Sequence, residues 1–364
     1  MKKMCSLLVL GFLIHLGFEA QAQRQDYLFN DSHFHLTNYI QEGLGIKDFL
    51  NLIGEDVGRV ALFGIPLQQT WSYGNSGDFA PTYYLESDAP LYYYSFTDAH
   101  IALEYLSLSE KEKKRFDPMI TGFNPSDMYA ADHIKRVLLA FPGVFTGIGE
   151  FTIHKEFVSP KVAGETASLT NPALDRIMET CAETGLLVII HNDIDIPFQK
   201  EGREAVYYRQ MVDMVSRHPN TTIIWAHTGL GRVVHPVRDS RGIMRPVRYP
   251  NQMELIEETL SNPAYQNLYF DISWDEVAKY IISTPENIEG TARLINKFPD
   301  RILFGTDVVA PKDKEMYMGV YRMYEPLWDK LFPETREKVL KGNYERLFDQ
   351  SAKKVRAWEE ANKN

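Results

Sequence analysis

A closed barrel of alternating β-strands and α-helices is the fold class the sequence predicts, and three observations predict it. Eight short apolar runs, each followed by a helical stretch, are spread through residues 23–364, the alternation of a parallel α/β protein. No interdomain linker or low-complexity tract divides them, so a single domain is expected. Residue types that bind metals close the first, fourth, fifth, sixth and eighth runs, and only closure brings those five ends around one mouth. An open doubly wound sheet is the alternative, but no Gly-x-Gly-x-x-Gly follows the first run. The expected architecture is therefore a (β/α)8 TIM barrel.

Residues 1–22 stand apart from it. Lys2-Lys3, the apolar run Leu7 to Leu16 and Ala20-Gln21-Ala22 have the charge, core and cleavage order of a secretory signal peptide, and the run is short for a membrane span. Cys5 precedes the run instead of marking the cleavage site, so a lipid anchor is not indicated. The expected mature chain starts at Gln23, soluble and periplasmic or secreted in a bacterium. Cys181 is then its one cysteine, which excludes an intramolecular disulfide. Stability must come from a core, which 44% hydrophobic residues can supply. A formal net charge of −10 disfavours nucleic acid as a partner.

The first run, Tyr27-Leu28-Phe29, leads into Asp31-Ser32-His33-Phe34-His35. In a strand, residues two apart face one side, so His33 and His35 present both imidazoles together. A short helix over Lys47 to Ile53 precedes the second run, Arg59 to Ile65, whose unbroken apolar character suits a strand covered on both faces. The long segment Pro66 to Thr97 follows, rich in Tyr, Phe and Trp71, as a lid would be. A helix over Ala99 to Arg115 leads to the third strand, Asp117 to Phe123. Ser126 and Asp127 are candidate caps of a helix running to Leu139, stopped by Pro142-Gly143. The fourth run, Val144 to Gly149, ends at Glu150.

Asn171-Pro172 opens the next helix and Gly185 closes it, the usual cap, first-turn proline and terminal glycine. Leu186 to Ile190 then delivers His191. A helix over Arg203 to Arg217 ends at His218, read as a helix-end residue, and Thr222 to Ala226 delivers His227. The connection from Thr228 to about Pro250 carries Arg232, Arg238, Arg241, Arg245 and Arg248. A helix from Gln252 to Leu260, the seventh strand Asn267 to Ser273 with Trp274 just beyond it, and a helix ending near Phe298-Pro299 come next. The eighth run, Arg301 to Thr306, ends at Asp307, and helices over Lys314 to Leu331 and Thr335 to Ala361 complete the chain.

Placed in this order, the residues resemble the amidohydrolase superfamily, and more narrowly its amidohydrolase-related branch, over nearly the whole mature chain. His33 and His35 match the first-strand pair of that superfamily, His191 and His227 its fifth- and sixth-strand histidines, and Asp307 its eighth-strand aspartate. Asn343-Tyr344-Glu345-Arg346-Leu347-Phe348 resembles the branch's C-terminal Asn-x-x-Arg-Leu-Phe signature. Many two-metal relatives carry a carboxylated lysine on strand four, where this chain has Glu150. A glutamate can bridge two metals or merely accept hydrogen bonds, and the expectation set here is one tightly held ion with Glu150 as a weak second ligand or hydrogen-bond partner.

The resemblance implies a metal-dependent hydrolase. The metal ligands are expected among His33, His35, Glu150, His191, His227 and Asp307. Imidazole and carboxylate without cysteine suit a divalent transition metal, zinc first, manganese or iron otherwise. Asp307 is the expected proton acceptor and donor. His227, if not a ligand, would hold water or stabilise substrate charge. Arg232, close behind His227, is the candidate for pairing an anionic group on a small ester, lactone or amide, with Trp71 and Trp274 as further substrate contacts. A decarboxylase using the same site is the runner-up. A non-catalytic metal- or anion-binding barrel is the third reading, disfavoured because every expected ligand type is present.

Overall fold

The computed structural model describes residues 27–38, 42–66, 70–71, 85–86, 96–155, 161–162, 165–195, 205–231, 236–238, 244–246 and 252–363. The expected signal peptide lies outside them. Nine parallel strands form one sheet: β1 Phe29–His35, β2 Val57–Phe63, β3 Phe116–Ile120, β4 Gly147–His154, β5 Leu187–Asn192, β6 Ile223–Trp225, β7 Leu268–Asp271, β8 Ile302–Leu303 and β9 Val308–Val309. Their spatial order is β8-β7-β6-β5-β4-β3-β2-β1-β9, so each chain neighbour among the first eight is also a spatial neighbour.

β8 and β9 are the two halves of the expected eighth strand. β8 pairs with β7 and β9 with β1. Between them Ser32 N donates to Phe304 O (3.1 Å), Asp307 N to His33 O (2.7 Å), and Trp274 N to Thr306 O (3.3 Å). The stretch from Ile302 to Val309 is thus bonded to strand seven on one side and strand one on the other, which closes the barrel. The Asp31 carboxylate reinforces this seam: it accepts from Thr306 N (2.8 Å), Thr306 Oγ1 and Tyr317 OH (2.7 Å each).

Strand periodicity sorts the apolar residues into two cores. Ala61, Phe63, Met119, Leu187, Ile189, Ile224 and Leu303 point into the barrel, and Tyr344, Leu347 and Phe348 plug its lower end. The alternate residues, among them Phe34, Val60, Leu62, Val188, Ile190, Ile223, Trp225 and Phe270, pack outward against the helices. The Asn-x-x-Arg-Leu-Phe stretch therefore has a structural role. Asn343 Nδ2 donates to Pro299 O and Ile302 O (2.8 Å each), holding the final helix Asn343–Ala361 beneath strand eight, while Leu347 and Phe348 fill the plug. Truncating Phe348 to alanine falls in the range of about 3–5 kcal/mol typical of buried aromatics.

Several local expectations shift. The helix expected over 99–115 is two helices, Thr97–Leu106 and Glu110–Lys113, because Ser109 and Glu112 form a capping box that starts the second. Ser126 and Asp127 do not cap the helix Ala130–Ala140. Asp127 Oδ1 accepts from Tyr129 N instead (2.8 Å), in a turn ahead of the helix. β4 continues past Glu150 to His154. The helix Pro172–Thr184 keeps its Asn171 cap, first-turn proline and left-handed Gly185. His218 does end its helix, Val206–Arg217, and contacts Asp175 (2.7 Å).

Asp98, buried at the start of Thr97–Leu106, accepts from Thr121 N (2.8 Å) and Gly122 N (2.9 Å) and so fixes the chain leaving β3 toward the mouth. Burial pushes its carboxyl up to about 6 from 3.8, against the pull of those donors. A folded-state value above the unfolded one means that the folded chain binds this proton more tightly. The ionised form then costs stability above about pH 6, and the cost is relieved as pH falls toward 3.8. Denaturant melts of wild type and Asp98→Asn should therefore diverge on acidification, wild type gaining up to about 3 kcal/mol relative to the variant between pH 7 and 4. A constant difference across that range would show that Asp98 does not titrate this way.

Candidate metal centre

The strand pattern carries the ligand types inward. Phe34 and Leu36 lie in the outer core, so His33 and His35 face the barrel axis, and His191 follows Leu187 and Ile189 on the inner side of β5. Glu150 reaches the same space through a register shift between Ile148 and Phe151, a bulge that re-aims a side chain. Gly149 makes the shift possible: its φ is 118°, and a Cβ there would sit 2.2 Å from Ile189 O. His227, Thr228, Trp274 and Asp307 have φ of 56°, 53°, 81° and 52°. Non-glycine residues pay a strain penalty for such backbone, and it concentrates at functional sites. All four stand at the upper ends of strands six, seven and eight.

The six predicted residues converge. Glu150 Oε1 lies 2.7 Å from His191 Nδ1 and 3.2 Å from His227 Nε2. Its Oε2 lies 3.4 Å from His35 Nε2 and 3.6 Å from His33 Nε2. Asp307 Oδ1 is 3.1 Å from His35 Nε2 and 3.4 Å from His33 Nε2, and Asp307 Oδ2 is 3.9 Å from His227 Nε2. Within two overlapping sets, His33, His35, Glu150 and Asp307 on one side and Glu150, His191 and His227 on the other, the ligand atoms lie within 4.8 Å of one another. Five of these residues are buried, and Asp307 alone is partly exposed. It therefore faces the approach from solvent.

The charge balance of this cluster fits a cation. Burial raises the Glu150 carboxyl, but the imidazoles of His191, His227, His33 and His35 gathered around it outweigh that and hold the group well below the usual range. Asp307 is likewise held far down, burial being overcome by the charges of His227 and His33 and the bond from His35. His33 is pushed well above 6.5, its burial outweighed by the charges of Asp271 and Asp307. His227 goes the other way, lowered by burial. Buried carboxylates need compensating positive charge. Protons on the imidazoles supply it here, and a divalent ion would replace them, as metal binding to histidine releases protons. His33 Nε2 is buried without a hydrogen-bond partner, the state of a nitrogen whose lone pair is reserved for a ligand.

Around the cluster, predicted and further residues fall as follows. Trp274 stands over the site, its ring 5.2 Å from that of His227 and 6.3 Å from that of His191. Asp193 Oδ1 lies 3.2 Å from His191 Nε2, orienting that ring from behind. His154 stacks on Tyr207 at 3.7 Å. Burial lowers it to about 4, so it is neutral at pH 7. Arg232 and the side chain of Trp71 lie outside the described residues, as do the side chains of the aromatic segment 67–95 and of the arginine-rich connection 232–250.

Sequence reading missed three contributors. Asp271 Oδ2 is 3.1 Å from His33 Nδ1, Ser273 Oγ is 2.9 Å from His227 Nδ1, and Lys155, itself buried, sets its ammonium 5.7 Å from the Trp274 ring centroid. Part of the signal was present: Asp271 lies near the end of the seventh run as the ligand types end five others, and Lys155 directly follows the strand that carries Glu150.

The sequence matches the amidohydrolase family over residues 31–350, and the chain belongs to that family: it is an enzyme of the amidohydrolase superfamily, whose members use a divalent metal on small-molecule substrates. Among solved structures it resembles a putative 2-pyrone-4,6-dicarboxylic acid hydrolase from Pseudomonas putida, at 14% identity and TM-score 0.49, covering 89% of this chain and 98% of that one. It also resembles 2,6-dihydroxybenzoate decarboxylase from Rhizobium, at 15% identity and TM-score 0.48, covering 89% and 99%. A third is dihydroorotase from Campylobacter jejuni, at 14% and 0.46, covering 91% and 87%. No curated protein matches the sequence. Among the described residues no helix is long and apolar enough to cross a membrane.

If the cluster holds metal, replacing both His33 and His35 with alanine removes tight binding. Metal per chain after dialysis should fall below half of the wild-type value. Full occupancy in the double variant would place the ion elsewhere.

Proposed function

We propose that the protein is an exported hydrolase that cleaves a small ester, lactone or amide bearing an anionic group, with two divalent ions, zinc first, on either side of Glu150. The observation that carries this reading is the Glu150 carboxylate, whose two oxygens address different pairs of histidines. Such a carboxylate can span ions about 3.5–4 Å apart. The division favours two ions over the single ion expected from sequence. His33, His35 and Asp307 with Oε2 would hold one, and His191 and His227 with Oε1 the other.

When bound, such ions lower the pKa of water toward about 7 and polarise a substrate carbonyl. The chain's own residues do the rest. Asp307, ionised and the one member of the cluster open to the mouth, accepts the proton of the attacking water and returns it to the leaving group. His227, its ring 5.2 Å from that of Trp274 and its backbone N and Nδ1 bonded to Asp271 and Ser273, forms the inner wall of the site. Trp274 excludes water from the strand-seven side. Lys155 brings positive charge beside Trp274, which supports an anionic substituent on the substrate, as does Arg232 from the sequence.

Asp307→Asn should lower kcat by about 10²–10⁴, the usual range for a lost general base, while the protein remains folded. Near-normal turnover would remove Asp307 from proton handling. The substrate class is read by offering metal-loaded protein lactones, amides and aromatic carboxylic acids. Release of carbon dioxide without hydrolysis would favour the decarboxylase, and no turnover of any class would favour the non-catalytic barrel. Metal per chain in wild type and Glu150→Gln decides the ion count. Two falling to one is expected; one in both would restore the single-ion reading.

A further inference from the structure

Asp271 is fully buried at the end of β7 and touches two candidate ligands that belong to other strands. Its Oδ2 faces His33 Nδ1 at 3.1 Å. Its Oδ1 accepts from His227 N (2.8 Å), from Ser273 N (3.2 Å) and, by a short bond, from the Ser273 hydroxyl. An ionised carboxylate only accepts, so the nitrogen of His33 that faces it carries a proton. A serine hydroxyl has one proton. If it goes to Asp271, Ser273 Oγ can only accept at its 2.9 Å contact with His227 Nδ1, and that nitrogen also carries a proton. With one proton on each ring, both are left with Nε2 free of hydrogen, and both Nε2 atoms face Glu150 and Asp307.

We propose that Asp271 is a positioning residue that sets the tautomer of two histidines at once, His33 directly and His227 through Ser273, so that each offers a bare Nε2 to a metal. The device explains why His33 Nε2 is buried with no hydrogen-bond partner. It also explains the arrangement around His227, where an Nε2 without hydrogen stands 3.2 Å from a carboxylate oxygen, two acceptors that a shared cation would reconcile. Asp193 does the same for one ring only, since His191 presents Nδ1 to Glu150 and Nε2 to Asp193. One carboxylate thus couples strands one, six and seven, and an error there would misdirect ligands to both halves of the cluster. The metal part of this inference rests on the proposed function; the tautomer part does not.

The test uses the full chain labelled with ¹⁵N-histidine. In metal-free protein, at a pH high enough to leave each ring one proton, His33 and His227 should both keep it on Nδ1. Ser273→Ala should disturb His227 and leave His33 unchanged, while Asp271→Asn should disturb both. In zinc-loaded wild type the same two Nδ1 protons should persist. Competition with a chelator should show zinc affinity lowered about 10–100-fold in Asp271→Asn, the usual effect of losing a partner behind a ligand. A proton on Nε2 of either ring in metal-free wild type would overturn the proposal. So would loss of the Nδ1 protons on zinc loading, which would make Asp271 a direct ligand with those atoms. If Asp271→Asn does not fold, Ser273→Ala still decides, with His33 as the internal control. Absence of zinc binding in wild type would refute the metal reading while leaving the tautomer measurement intact.

Discussion

Barrel closure by the segment from Ile302 to Val309 is the constraint on which the rest depends. Glu150 and Asp307 are 157 residues apart in sequence, and in an open sheet ordered by chain their strands would lie far from each other. Hydrogen bonds from strand eight to strand seven on one side and to strand one on the other bring Asp307 within 3.1 Å of His35. The seam is tight enough that a Cβ on Gly305 would meet the His33 Cβ at 2.7 Å. Asp31 joins the same seam by accepting from both Thr306 and His33 N. Ring closure and site assembly are therefore one event.

Closure creates an electrostatic problem that a bound cation would resolve. Glu150, Asp271 and Asp307 are gathered with four histidines in a space nearly shut off from water. Three carboxylates so placed are costly unless positive charge is shared among them. The backbone adds strain, with left-handed φ at His227, Trp274 and Asp307. Such concentrations of cost persist where the surrounding fold enforces them and where a ligand offsets them. Below the site, the inner core and the plug of Tyr344, Leu347 and Phe348 supply the ordinary apolar stability that allows the upper rim to hold an unfavourable arrangement.

Much of this was legible in the sequence, for a simple reason. Buried parallel strands write themselves as unbroken apolar runs, and a polar residue at the end of such a run has few places to go. His33 and His35 could be put on one face by period alone, and His191, His227 and Asp307 could be put at strand ends. What could not be read depends on contacts between strands. The shift that turns Glu150 inward arises from how Gly149 lies against Ile189, and the division of strand eight arises from its two different partners. Asp271 was visible as a strand-end carboxylate, but its meaning lies in two rings from other strands. The broken helix at Ser107 to Ser109 hid because its capping box sits inside a stretch that is helical on both sides.

The central claim is that one buried cluster, assembled from five strand ends, is a metal centre. Anomalous diffraction from crystals of the zinc-loaded full chain, recorded on both sides of the zinc absorption edge, tests it most directly. The expected map shows zinc peaks flanking Glu150, one toward His33, His35 and Asp307 and one toward His191 and His227. A map with zinc bound only at the surface, and none among these six residues, would contradict it.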